Sequence, residues 1–184
     1  NRHGIRTHDP ADSDGLRAAG RLVADILDRI APAVAPGVGT GELDAATHDM
    51  VRASGATSAT VGYKGYRHAS CISVNHVVCH GIPNDKPLKK GDIVNVDVTV
   101  ITQDGWFGDT SRMFLVGECS IAAKRLCALT FDSMWLGIAQ VRPGAHLGDI
   151  GHAIQKFAEG HGLSVVREFC GHGIGQVFHE EPQV

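Results

Sequence analysis

A chain of 184 residues, 43% hydrophobic, is long enough to bury one sizeable core. Its formal charge of -3 gives no basic field to recruit a phosphate backbone, and no apolar run approaches the roughly 18 residues of a membrane span, so nucleic-acid and membrane partners are disfavoured. Five cysteines, an odd number with no C-x-x-C pair, fit free thiols in a reducing cytoplasm better than a disulfide or zinc framework.

In chain order, residues 1–13 carry neither an initiator Met nor an apolar signal core and read as an N-terminal extension. Leu16, Ala19, Val23, Leu27 and Ile30 then fall at helical spacing after the capping cluster Asp12-Ser13-Asp14. Pro36-Gly37 ends that segment. Leu43, Thr47, Met50, Val51 and Ser54 outline a second helix, closed by Gly55. A β-rich segment follows, from about Ser58 to Val116. A third helix is predicted from Ile121 to Val141, ending at Pro143-Gly144. Leu147, Ile150, Ile154 and Phe157 mark a fourth, closed by Gly162.

The two helix pairs match at an offset of 107 residues. Val34, Pro36, Gly37, Gly41, Ala46 and Gly55 recur as Val141, Pro143, Gly144, Gly148, Ala153 and Gly162. A turn dipeptide and a helix-closing glycine in register with two helical periods indicate an internal duplication. The reading is a single domain over 14–184: repeat unit one spans about 14–117 and carries the β-segment. Unit two, about 118–184, is truncated before an equivalent one.

Within the β-segment, valines 94, 96, 98 and 100 occupy one face of a strand, while Asn95, Asp97 and Thr99 occupy the other. Asp104-Gly105 is a hairpin signal, and the return strand from Trp106 to Val116 lines up Phe107, Asp109, Ser111 and Met113. Such a pairing can bring Asp97 and Asp109 together on a shared polar face. Two close carboxylates repel unless one holds a proton or a cation sits between them. Standing alone they read more readily as solvated strand residues; with His172, in Gly171-His-Gly-Ile-Gly175, they become a metal-ligand set. Imidazole in an oxygen-rich set suits Mn, Fe, Co or Zn better than Ca or Mg. His80 and His179, each close to apolar residues, are candidates for donating to an amide carbonyl or developing oxyanion, or for moving a proton. Tyr63, Tyr66 and Cys71 are equally good as pocket lining or as core. His68 and His76 read as surface residues.

Seven motifs in order carry a resemblance: Gly62-Tyr-Lys-Gly-Tyr66, Cys71-Ile-Ser-Val-Asn75, Cys79-His-Gly-Ile-Pro83, Asp97-Val-Thr-Val, Gly108-Asp-Thr-Ser111, Gly171-His-Gly-Ile-Gly175 and Phe178-His-Glu-Glu-Pro182. From about Leu16 to Val184 the chain resembles the bacterial-type (type I) methionine aminopeptidases, pita-bread metallopeptidases. The resemblance implies an α/β (α+β) pita-bread fold: a pseudo-twofold internal repeat with an antiparallel sheet flanked by helices, its second half incomplete here. It also implies a monomeric cytoplasmic enzyme that removes the initiator methionine from nascent polypeptides by hydroxide attack at a two-metal centre, with the ribosome as a candidate partner. Carried over, Asp97 binds one metal, Asp109 bridges both and His172 binds the second. His179 and His80 assist the scissile amide, and Tyr63, Tyr66, Cys71 and Phe178 line the methionine pocket.

Three departures accompany the resemblance. The family's two glutamate ligands fall beyond Val184, so the 184-residue chain alone is expected to be inactive. Eleven residues separate Asp97 from Asp109 where the family has ten, an excess the hairpin turn is expected to absorb. Phe107 stands where many members carry His. The competing readings are a proline-directed peptidase of the same fold and a non-catalytic binding module that has lost the site.

Overall fold

The computed structural model describes residues 4–184; the first three residues of the expected N-terminal extension lie outside the described part. The chain divides into two compact units. The larger spans Arg6–Cys119 with Ile174–Phe178, and the smaller is built on Ser120–Gly173 and His179–Val184.

In the larger unit, α1 runs Asp12–Ile30 and buries Ala19, Val23, Ile26, Leu27 and Ile30 along one stripe. Asp12 and Asp14 lie inside its first turn instead of ahead of it, where they favour the positive end of the helix dipole. Helix α2, Thr40–Ala53, begins where the Glu42 carboxylate accepts from the Gly39 N–H at 2.9 Å. It ends at Ser54, and Gly55 takes the left-handed φ of 80° expected of a closing glycine.

Four strands follow: β1 (Thr57–Ser58), β2 (Ser70–Val74), β3 (Ile93–Ile101) and β4 (Phe107–Leu115). Strand β3 is central. It pairs antiparallel with β1 and β2 along one edge and with β4 along the other. Its valines 94, 96, 98 and 100 are fully buried with Val23, Ile26, Leu27, Ile30, Leu43 and Val51, so α1 and α2 close one face of the sheet. Each such side chain contributes roughly 1.5–3 kcal/mol relative to exposure. Gly108 lets the sheet and α1 approach closely: a Cβ there would stand 2.5 Å from the Ala19 backbone. The opposite face of the sheet carries the polar residues.

In the smaller unit, α3 (Ile121–Ile138) is capped by Ser120, whose hydroxyl accepts from the Ala123 N–H, and α4 spans Leu147–Gly160. The two pack where Gly137 meets Ile150 and Ile154. Short strands β5 (His172–Gly173) and β6 (Glu180–Gln183) pair antiparallel. The two helix pairs share local geometry. The His146 N–H donates to Asp149 at 2.9 Å, as Gly39 does to Glu42, and Gly144 and Gly162 hold the left-handed φ of Gly37 and Gly55. Among the described residues, no helix is long and apolar enough to cross a membrane.

Candidate metal centre and substrate pocket

Strand register decides which side chains meet. β3 and β4 pair without interruption from Ile93↔Leu115 to Ile101↔Phe107, and Asp97 faces Ser111 while Asp109 faces Thr99. Asp97 and Asp109 are therefore diagonal neighbours on the sheet face turned away from the helices, a relation that spans about 7–8 Å between Cα atoms. The turn, residues 102–106, is closed by the Thr102 N–H donating to Trp106 O and the Gly105 N–H to Thr102 O, both at 2.9 Å. It takes up the eleven-residue spacing without turning Asp109 over. Both carboxylates are half-buried. Thr99 donates its hydroxyl to Asp109 Oδ1 at 3.1 Å, which fixes that carboxylate from the facing strand.

Cys71 lies opposite Asp97 on β2, completing a row across three strands. Burial pushes its thiol up, and the charges of Asp97 and Asp109 add to the shift against a hydrogen bond from Tyr66 that opposes it. The Tyr66 phenol is also raised, chiefly by burial, then by Cys71, Asp44 and Asp97. Its hydroxyl donates to Ser70 O at 2.9 Å. Tyr66 and Cys71 thus stay neutral beside two carboxylates. Tyr63 and Phe178 rings lie 5.0 Å apart, and Phe107 packs on Phe178 at 5.7 Å. His80 is exposed, with a positive φ of 55° and its Nδ1 3.7 Å from Cys79 Sγ. Its loop is held to β2 because the Ile72 N–H donates to Gly81 O and the Gly81 N–H to Ser73 Oγ.

In the smaller unit, His172 and His179 rings lie 4.3 Å apart. The Nδ1–H of His172 donates to Gly173 O at 2.9 Å, which leaves Nε2 as the lone-pair nitrogen. That tautomer is the one a metal-binding imidazole uses. Gly173 is required here, because a Cβ would stand 2.7 Å from Glu181 O on the paired strand.

Asp97 and Asp109 thus belong to the larger unit and His172 to the smaller, and among the described residues no group of three or more His, Cys, Asp or Glu side chains gathers closely enough to hold a metal ion. Taken separately, the carboxylates on their sheet face and the Nε2 of His172 are each donors of a kind that divalent cations accept. Two residues escaped the sequence reading. Asp44, buried on α2, accepts from the Ser70 N–H (2.8 Å) and Ser70 Oγ (2.7 Å) and pairs with His68 Nδ1 at 3.1 Å. His68, expected at the surface, is half-buried in that pair. Nothing local signals either contact, since the partners stand 24 and 26 residues apart.

A helix pair thus covers one face of an antiparallel sheet, and two aspartates stand as diagonal neighbours on the other. Known proteins share this arrangement and its sequence. The sequence pattern of metallopeptidase family M24 matches residues 14–184. A methionine aminopeptidase of Rickettsia prowazekii is 55% identical over 180 residues, covering 98% of this chain and 69% of that one. Its Escherichia coli (strain K12) counterpart is 58% identical over 177 residues, covering 95% and 67%. The crystal structure of the Rickettsia prowazekii enzyme superposes with a TM-score of 0.95 over 97% of this chain and 72% of that one. An Xaa-Pro dipeptidase from Bacillus anthracis, 22% identical with a TM-score of 0.81 over 95% of this chain and 48% of that one, shares the fold alone. This chain belongs to metallopeptidase family M24. It spans about two thirds of the length of these curated relatives.

Proposed function

We propose that this chain is the catalytic region of a metal-dependent aminopeptidase that releases the N-terminal methionine of newly made polypeptides in the cytoplasm. The observation that carries the reading is the diagonal Asp97–Asp109 pair on the sheet face opposite the buried valines, in a chain more than half identical to proteins named methionine aminopeptidase. Asp97, Asp109 and the Nε2 of His172 would hold divalent ions, with Mn, Fe, Co or Zn suited to the donors. When bound, such ions supply Lewis acidity and a nucleophile at neutral pH.

The remaining work falls to the chain's own side chains. Thr99 holds Asp109 in one orientation by its hydroxyl. His80 and His179 are placed by sequence context to donate to the scissile amide and to the carbonyl oxygen as it gains charge. Tyr63, Phe178, Tyr66 and Cys71 form the apolar wall for a thioether side chain, which makes favourable contacts with aromatic rings. Because the Cys71 thiol is held protonated, that wall stays uncharged at neutral pH.

The test uses the protein as its gene encodes it, loaded with Mn(II) or Co(II). Methionine should be released from a Met-Ala-Ser peptide, and EDTA should stop the release. Cleavage of an Xaa-Pro peptide with Met-Ala-Ser left intact would replace this reading by the proline-directed one. Failure to take up either metal would replace it by a binding module.

A further inference from the structure

Three aromatic rings lie in sequence on the larger unit: Tyr63, then Phe178, then Phe107, with centroid spacings of 5.0 and 5.7 Å and tilts of 39° and 37°. Both pairs fall in the range where aromatic contacts add stabilisation beyond area burial. Phe178 is the middle ring, and its two neighbours differ in how they are held. Tyr63 rides on a single-turn segment, Tyr63–Gly65, bounded by the left-handed Gly62 and containing the left-handed Lys64. Phe107 is the first residue of a nine-residue strand in unbroken register with β3.

Phe107 also grips the Phe178 segment through its main chain. Its N–H donates to Gly175 O at 2.8 Å, and Gly175 is buried. Between these two holds the segment carries Gln176 and Val177, both exposed. One residue therefore fixes residues 174–178 twice, by backbone at one end and by ring at the other. Neither Phe107 nor Phe178 belongs to the core beneath the helices. Phe107 shares the sheet face of Asp97 and Asp109. Its ring is not needed to close the hydrophobic core, and its contact is directed at a residue of the methionine wall.

We propose that Phe107 is a positioning residue for substrate binding, holding the Phe178 ring against Tyr63 so that the methionine wall is preformed. This rests on the reading of Tyr63 and Phe178 as that wall. Preforming a binding surface lowers the ordering cost of binding, so the effect belongs in KM and not in the chemical step.

The experiment compares wild type, Phe107→Ala and Phe107→Tyr in the gene-encoded protein loaded with Mn(II), on Met-Ala-Ser. Phe107→Ala should raise KM about three- to tenfold, the scale of one aromatic pair, with kcat within about twofold. Phe107→Tyr, which keeps the ring, should stay within about twofold of wild type in both. In a Phe178→Ala background, Phe107→Ala should add less than about twofold, because the coupled partner is gone. Hydrogen exchange on the metal-free proteins gives a readout independent of turnover: amides of residues 174–178 should exchange faster in Phe107→Ala and as wild type in Phe107→Tyr. If Phe107→Ala does not fold, Phe107→Leu takes its place under the same criteria. An unchanged KM, a fall in kcat with KM constant, full additivity with Phe178→Ala, or unchanged exchange would each overturn the proposal. Should wild type release no methionine, the functional reading fails, and the exchange comparison still decides whether Phe107 holds the segment.

Discussion

Val96 and Asp97 are joined by one peptide bond, yet they lie on opposite faces of the sheet and do different work. Val96 is fully buried among α1, α2 and its neighbouring valines. Asp97 is half-buried on the face it shares with Asp109, Thr99, Cys71 and Phe107. One face is closed by α1 and α2 and supplies stability; the other carries the aspartates. The pleat sends alternate side chains to opposite faces, so a one-residue slip of register would bury the aspartates and expose the valines. The cost of burying a charge unpaired is what holds the register.

That division makes three predictions, the largest first. Asp97→Ala and Asp109→Ala should each lower methionine release more than about a hundredfold, since even outer partners of a metal site are worth 10–100-fold. Thermal unfolding of the metal-free proteins should move by less than about 4 °C, because no core atom is removed. A large fall in Tm would show that the aspartate face also carries the fold. Val96→Ala should do the reverse. It should cost about 2 kcal/mol or more, read as a lower urea midpoint at constant slope, with kcat/KM close to wild type below the transition. Loss of activity in the folded variant would break the separation between faces. The smallest effect is expected at Thr99→Val, which keeps shape and removes the hydroxyl that Asp109 accepts from. Metal affinity by calorimetry should fall about tenfold with little change in stability. No change would mean that Asp109 is held by other contacts.

The chain announces these elements unequally. Helices α1, α2 and α4 repeat apolar residues at helical spacing, and the structure places left-handed Gly55 and Gly162 just beyond α2 and α4, while α1 runs on into Ala31–Ala33. The β3–β4 hairpin was legible because alternation and Asp104-Gly105 both belong to residues close in sequence; Gly105 has φ 82°. Helix α3 stops at Ile138, short of the expected Val141, where the chain already turns toward Gly144. The contacts that no pattern betrays join distant segments. Asp44 meets His68 and Ser70, and Phe107 meets Phe178, only because β2 and β4 bring them side by side. Periodicity reports which face a residue occupies; it does not report which stranger arrives on that face.

The repeat carries the same lesson. The helix pair of the larger unit hides its apolar stripe under valines, while the matching pair in the smaller unit leaves Phe131, Trp135 and Ile138 about half exposed. Equivalent caps and closing glycines have formed in both. Local geometry is written in the helix sequence itself; burial is conferred by whatever lies against it.

The hairpin turn at residues 102–106 has a practical use. The positions of Asp97 and Asp109 are set by nine consecutive strand pairs, not by the number of residues between them. Lengthening a surface loop costs little, about 0.6 kcal/mol for each doubling. An epitope tag or spectroscopic probe spliced into this turn would be carried at the sheet's edge while both carboxylates kept their partners, offering a reporter close to the chemistry that does not disturb it.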